Sequence, residues 1–259
     1  MHHRRVRALA LFVLALASCA GHGPKMVEQG EGVPSSAGPR VVVAPLNLGV
    51  ELASDFEDAV PIVELSLIRS LQRRGARVAV IWTPDAVTLW RTAVASVAPE
   101  GSSAKDYRAA ADAFEKRLAQ SESFDMLLIP SLALRPAKLS GRTVRWDGVQ
   151  RRLRVEPAEN ASLPLDSPVF AGEGVVADSA LQGHVSGLSL HLLALRPGRR
   201  ALERWGGLDL VHDAVPPRGP GTSAKELEPK LRHELLEDPL HVDEGVALAL
   251  DPIWSSLAR

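Results

Sequence analysis

The stretch from His233 to Glu237 (HELLE) has residue types and a spacing that suit metal chemistry. Residues four apart lie on one face of a helix, where a histidine and a carboxylate can bind zinc. Zinc-hydrolase helices of this type carry a second histidine where this chain has Glu237. A solvated polar helix that ends before Pro239 explains the same residues without a metal. We expect no metal and no cofactor, and we keep a metal-dependent hydrolase with a degenerate His233/Glu237 site as an alternative hypothesis.

Serine nucleophiles and histidine bases are present, but they form no catalytic motif. Ser186 or Ser189 would have to act with His184 or His191, which fall in or beside the same predicted strand. Neither a G-x-S-x-G nucleophile elbow nor a P-loop occurs in the sequence. The alternation of the strand places His191 on its polar side, which predicts a surface residue. We therefore expect no catalytic residues and a protein that is not an enzyme.

A spacing of the dinucleotide-binding type occurs at Gly172-x-Gly174-x-x-Ala177. In dinucleotide-binding folds this pattern follows a strand and opens a long helix. Here it follows no clear strand and precedes no long helix. We interpret it as part of a loop insertion near residues 156–183.

Four arginines, Arg145, Arg151, Arg152 and Arg154, fall in one predicted strand from residue 143 to 155. They can form a binding site for an anionic partner, such as a glycan, lipopolysaccharide or an acidic protein surface. The alternative is an exposed edge strand whose charges prevent aggregation. Both interpretations stay open.

The N-terminus has the layout of a secretory signal. An apolar stretch at residues 8–17, too short to span a bilayer, follows three arginines: Arg4, Arg5 and Arg7. No later stretch is long and apolar enough for a transmembrane helix. Removal of residues 1–18 leaves 27 basic against 31 acidic residues, a net charge near −4. That balance argues against a nucleic-acid partner, which would need a basic face.

The signal ends in Leu16-Ala17-Ser18-Cys19, which contains the only cysteine of the chain. These residues resemble the lipobox of bacterial lipoproteins, in which the cysteine is diacylated and becomes the mature N-terminus. Because Ala20 rather than an aspartate follows, the resemblance implies the outer membrane, with the domain facing the periplasm. A small-residue cleavage site at residues 15–17 is the alternative, and it would release a soluble protein.

The rest of the chain predicts one α/β domain with a mixed sheet. Residues 19–39 are rich in Gly, Pro and Ser and predict a flexible tether after the lipidated cysteine. Residues 40–259 predict the order β-α-β-α-α, then antiparallel strands and a C-terminal helix. Among the predicted elements are helices at 58–74, 83–97, 103–121, 224–236 and 242–257, and a late hairpin at 185–211.

Three stretches in this order resemble the curli-secretion-type (CsgG-like) envelope lipoproteins and their relatives, the TolB N-terminal-like domain and the lipoprotein activators of penicillin-binding proteins. They are RVVVAPLNL at residues 40–48, SLIRSLQRRGARVAVI at 66–81 and LSLHLLALRPGRRALERWGG at 188–207. The resemblance implies an α/β fold and a role in envelope assembly or secretion. We therefore predict a lipid-anchored periplasmic accessory protein that docks envelope proteins, near 143–155 or 156–183. A subunit of an oligomeric secretion ring is a further alternative.

Overall fold

The computed structural model describes residues 23–29, 38–50, 56–97, 106–154, 182–215, 228–232 and 234–257. Ten strands lie in these residues: β1 Met26–Gln29, β2 Arg40–Val43, β3 Arg77–Ile81, β4 Met126–Ser140, β5 Thr143–Trp146, β6 Val149–Arg152, β7 Gln182–Leu195, β8 Leu202–Leu210, β9 His212–Val215 and β10 Glu228–Leu231. The same residues contain four helices: α1 Ala59–Arg73, α2 Thr83–Val97, α3 Tyr107–Leu118 and α4 Pro239–Leu257.

Eight of these strands form one mixed sheet in the order β1-β3-β2-β4-β5-β6, and β7 joins the other edge of β4 and carries β8. The strand β2 is parallel to both β3 and β4, and the remaining pairs are antiparallel. β9 and β10 form a separate antiparallel pair. The predicted α/β class, the mixed sheet and the C-terminal helix are thus confirmed.

Helices cover both faces of the sheet, which explains the unbroken apolar run of β2. Val41 and Val43 point to a core built with α1 and α4. Val42 points to a second core built with α2 and α3. Because side chains alternate along a strand, each face needs its own apolar set. Gly75 follows the end of α1 with a φ of +82°, the left-handed conformation that commonly terminates a helix.

A third core lies where β5 and β6 pack near the C-terminal end of β4 and the N-terminal end of β7. Its buried members are Ala137, Val144, Trp146, Val149, Leu153 and Leu210. The ring of Trp146 lies against Gly187 and Gly207, where a Cβ atom would overlap it. The amide of Gly207 donates to the carbonyl of Asp147 at 3.1 Å, which ties the turn between β5 and β6 to β8.

The single strand predicted at 143–155 is wrong, because the chain turns back in its middle. Asp147 and Gly148 both have positive φ, +38° and +85°, as a two-residue hairpin turn requires. The Asp-Gly pair between two short apolar-alternating runs was the sequence signal for this hairpin.

The polar helix predicted at 224–236 is also wrong. Residues 228–231 form β10 and pair with β9, and residues 234–238 are not helical. Leu236 has a φ of +60°, outside the helical region. Pro229 carried the missed signal, since a proline in a helix interior removes a hydrogen bond and clashes with the preceding turn.

The helix predicted at 103–121 is shorter, and its cap lies later in the sequence. The carboxylate of Asp106 accepts from the amides of Arg108 and Ala109, at 3.0 and 3.1 Å, which places the helix start at Tyr107. Ser103, where the helix was predicted to begin, lies outside the described residues.

The tether predicted at residues 19–39 needs correction, because part of it belongs to the sheet. β1 pairs antiparallel with β3 from Met26 opposite Ile81 to Gln29 opposite Val78. Edge pairing with an already buried strand outweighs the weak local propensity of this segment. The folded domain therefore begins by Gly23 and not at residue 40.

Candidate functional site

The β4–β5–β6 part of the sheet presents three exposed cationic side chains on one surface. Lys138 lies opposite Arg145 in the β4–β5 ladder, and Arg152 projects from the same side of β6. Arg145 donates to the side chain of Gln150 at 2.8 Å. None of the three cations has a carboxylate within ion-pair distance among the described residues. We call Lys138, Arg145 and Arg152 the basic face.

Arg151 does not belong to the basic face, although the sequence grouped it there. It is only 8% exposed and points to the opposite side of β6. Its guanidinium pairs with Glu244 of α4 at 2.8 Å and donates to the carbonyl of Leu208. This arginine therefore fastens β6 to α4 and β8.

Arg154 lies just after β6 and is exposed, and its guanidinium is 3.5 Å from the carboxylate of Glu237. The same carboxylate lies 3.7 Å from Arg232. Of the four arginines predicted to bind a partner, Arg151 and Arg154 have intramolecular carboxylate partners. Arg145 and Arg152 have none within the part of the chain that the structure describes.

Arg232 organises the region that held the predicted metal motif. It is part of a nearly buried ion pair with Asp209 at 2.7 Å and lies 3.6 Å from Asp213. The other oxygen of Asp209 accepts from the amide of Leu236 at 2.9 Å. Within the described residues, no group of three or more His, Cys, Asp or Glu side chains is placed to hold a metal.

The geometry removes the helical basis of the predicted His233/Glu237 metal pair. His233 lies outside the described residues, and the segment from 234 to 238 that leads to Glu237 is not helical. Without a helix, a spacing of four no longer puts the two side chains on one face. Glu237 pairs with arginines instead.

A largely buried polar cluster lies where the β5–β6 turn meets β4 and β7. The hydroxyl of Ser189 donates to the carboxylate of Asp147 at 2.7 Å, and Arg135 donates to the same oxygen at 3.3 Å. Ser189 is fully buried, and the Asp147 side chain is 14% exposed. The carboxylate is thus stabilised by one neutral and one cationic donor, as a buried charge requires.

His191 lies next to this cluster and is stacked on Trp205, with ring centroids 4.3 Å apart. The guanidinium of Arg135 lies over the same indole at 4.6 Å. Burial lowers the pKa of His191; Arg135 lowers it further, and Glu203 opposes both. His191 is therefore held neutral inside the fold, and the prediction of a surface histidine is wrong.

The arrangement is not that of a serine nucleophile with a histidine base. Ser189 bonds directly to Asp147, and no hydrogen bond joins Ser189 to His191 in the part of the chain that the structure describes. A nucleophile needs both a base in hydrogen-bond reach and access for a substrate. The fully buried hydroxyl of Ser189 offers no access, so the cluster joins the β5–β6 turn to the sheet.

Beyond the end of β2, three buried polar atoms have no hydrogen-bond partner among the residues that the structure describes: Asn47 Nδ2, Tyr107 OH and Ser131 Oγ. Asn47 has a φ of +60°, and its side-chain oxygen accepts from the amide of Leu132 at 2.6 Å. Burial raises the pKa of the Tyr107 hydroxyl. The nearby Ser131 hydroxyl lowers this pKa, although no well-formed hydrogen bond joins the two groups. The carboxyl ends of parallel strands are where open α/β sheets bind ligands, so this is the polar site that the topology itself indicates.

An apolar groove of about 540 Å³ separates α1 from the start of α4. Ile62 and Leu65 line it and are exposed, and Ser66 donates to Asp243 at 2.5 Å on its wall. Arg69, at the same groove, makes no ion pair among the described residues. The groove can therefore receive an apolar side chain beside an acidic one.

Several predicted features lie outside the described residues: Cys19 and the signal, the Gly172–Ala177 spacing and most of the loop near 156–183. No helix of the described residues is long and apolar enough to cross a membrane.

The chain matches no protein-family model, no curated protein and no solved structure with which it was compared. The resemblance to the curli-secretion-type lipoproteins therefore stays a prediction, as do an envelope partner and a homo-oligomer.

Proposed function

We propose that this chain is a lipid-anchored accessory protein of the cell envelope, which acts in assembly or secretion by docking other envelope proteins. In this proposal Cys19 carries the lipid, the anchor lies in the outer membrane, and the domain faces the periplasm. The signal layout and lipobox support the anchor.

The single observation that carries docking is the basic face. Lys138, Arg145 and Arg152 are exposed side by side, with no carboxylate of the described residues in ion-pair distance, on a chain whose formal net charge is slightly negative. Charges that prevent aggregation of an exposed edge strand would explain Arg152, because β6 is such a strand. They do not explain Lys138, because its strand, β4, has neighbouring strands on both sides. An acidic surface on another envelope protein is the partner that this arrangement fits.

The anchor is tested by labelling cells with radioactive palmitate and comparing the wild type with Cys19→Ala. We expect label in the wild type only, with Cys19→Ala shed from the membrane but still folded. An unlabelled wild-type protein would exclude a lipoprotein.

Docking is tested by site-specific photo-cross-linking in intact cells. A photoreactive residue replaces Gln150, on the basic face, or Arg199, in the exposed β7–β8 turn, as the matched control. We expect a discrete adduct with a membrane or periplasmic protein from position 150 only. The double variant Arg145→Glu/Arg152→Glu should lose that adduct, whereas Arg199→Glu should keep it. Adducts absent from position 150, or unaffected by the charge reversal, contradict docking through this face.

A further inference from the structure

The described part of the domain starts only a few residues after Cys19, the proposed site of the lipid. The amide of Lys25 donates to the carboxylate of Asp85 at 2.6 Å, and its carbonyl accepts from the amide of Trp82 at 3.0 Å. Gly23 lies against the side chain of Ser121. These contacts fasten the chain to the domain by residue 23, just before β1.

Covalent geometry then limits how far the domain can lie from the anchor. Four residue steps separate Cys19 from Gly23, and each spans at most about 3.6 Å, so the two Cα atoms are within about 14 Å. A free tether from residue 19 to 39 would permit a much larger separation. The surface around Gly23 must therefore lie near the bilayer whenever Cys19 carries a lipid.

The side chains at this surface suit the water–lipid boundary. Trp82 is 47% exposed, and the ammonium of Lys25 lies over its ring at 5.3 Å. Val27, two residues after Lys25, is 40% exposed. An indole places its apolar body and its N–H at the headgroup level, and a lysine beside it can reach lipid phosphates.

We propose that the Lys25–Trp82 edge of the domain rests directly on the lipid bilayer, with Trp82 among the headgroups. This inference rests on the proposed lipid anchor and adds an orientation to it. β1 and β6 are the two ends of the strand path β1-β3-β2-β4-β5-β6. The basic face on β4–β6 is therefore at the other end of this strand path from the Lys25–Trp82 edge.

The orientation is measured with a fluorophore on an introduced cysteine. Acylated Cys19 is a thioether, so a new cysteine is the only free thiol of the lipidated protein. An environment-sensitive dye is attached at Thr83→Cys, beside Trp82, or at Ser140→Cys, near the basic face. The labelled proteins are reconstituted into phosphatidylethanolamine–phosphatidylglycerol vesicles containing lipids with spin-labelled headgroups.

We expect quenching of the Thr83→Cys dye to exceed that of the Ser140→Cys dye by about threefold or more. In a Trp82→Ser background, the Thr83→Cys dye should lose most of this excess. Equal quenching at the two positions, or quenching insensitive to Trp82→Ser, overturns the proposed orientation.

The mass of the N-terminal fragment separates the two proposals. A diacylated fragment together with unquenched dye at Thr83→Cys refutes the orientation and leaves the anchor intact. A fragment without acyl chains refutes the anchor, and the orientation with it.

Discussion

At the scale of single residues, the buried contact between Ser189 and Asp147 determines how the β5–β6 turn is held. Asp147 lies in the hairpin turn, where it adopts a positive φ of +38°. From this position its side chain reaches Ser189 of β7 and Arg135 of β4. Its carboxylate receives the Ser189 hydroxyl and the Arg135 guanidinium on one oxygen. The residue types resemble those of a hydrolase, but their burial makes the contact structural.

Removing the Ser189 hydroxyl should weaken the fold measurably. In Ser189→Ala the carboxylate of Asp147 keeps Arg135 but loses its shorter hydrogen bond, at a cost of about 1–2 kcal/mol in the free energy of unfolding. Urea denaturation followed by circular dichroism measures it. Ser140→Ala, on the exposed part of β4, should change stability by less than about 0.5 kcal/mol. Equal effects of the two substitutions would contradict the structural role.

His191 should make stability depend on pH. Its folded-state pKa lies below the ordinary 6.5, mainly because of burial, so protonation favours the unfolded state. The contribution of neutral His191 to the free energy of unfolding is fully present above pH 6.5. It is lost as the pH falls from 6.5 toward the lower folded-state pKa. His191→Gln should reduce the change in urea midpoint between about pH 7.5 and 5.5. A variant with the slope of the wild type would contradict this.

At the scale of elements, strand alternation separates residues that are adjacent in sequence. Arg151 and Arg152 point to opposite sides of β6, one to α4 and one to solvent. The sequence indicated a basic strand, but its arginines divide between packing and exposure once the hairpin is formed. The same hairpin explains Gly187 and Gly207, which make room for Trp146.

Alanine at these two adjacent positions should have unequal effects. Arg151→Ala leaves the Leu208 carbonyl and Glu244 without their donor, and we expect a loss of about 1–3 kcal/mol. Glu244 is half exposed, which limits the cost. Arg152→Ala should stay within about 0.5 kcal/mol. Chemical denaturation of both variants tests whether Arg151 points into the fold and Arg152 points to solvent. A larger loss of stability for Arg152→Ala than for Arg151→Ala would contradict these directions.

The contact of α4 with β8 depends on a glycine pair. A Cβ atom on Gly206 would overlap the carbonyl oxygen of Gly245, and backbone cannot move aside as a side chain can. Gly206→Ala should therefore cost about 3 kcal/mol or more in stability. Gly198→Ala, in an open turn with a φ of +71°, should cost only about 1–2 kcal/mol. Thermal unfolding of the two variants measures both losses. A larger loss for Gly206→Ala supports the close approach of α4 to β8, whereas equal losses would mean that any glycine-to-alanine change has this cost.

At the scale of the whole molecule, the sheet recruits a segment whose composition is that of a linker. β1 completes the edge next to β3, and Glu28 of this strand lies 3.3 Å from Arg40, which also pairs with Glu122. This pairing moves the start of the domain close to Cys19. The position of one short strand thus determines how near the membrane the domain would lie.

Truncation before Gly38 should therefore destabilise the domain, whereas a flexible tether could be removed without effect. We expect a loss of about 2 kcal/mol or more, from the burial of Met26 and the β1–β3 ladder. A chain that begins at Gly23 is the control and should unfold at the same urea midpoint as a chain that begins at Cys19. Equal midpoints for the two truncations would support a tether after all.

The sequence alone determined the elements that local rules specify. Periodicity and turn residues predicted α1, α2 and the β7–β8 hairpin within a few positions of their observed bounds. These features predicted the α/β class, and the N-terminal pattern predicted the anchor, because such signals depend only on neighbouring residues.

The tertiary structure decided which residues meet across the chain. It placed β1 beside β3, paired residues 228–231 with β9 instead of leaving a helix, and put Ser189, Asp147 and His191 into a buried cluster. It also left Arg145 and Arg152 exposed while Arg151 found Glu244, almost a hundred residues away. These strand pairings and side-chain contacts depend on burial and hydrogen-bond partners that distant segments supply. A local sequence pattern therefore cannot predict them.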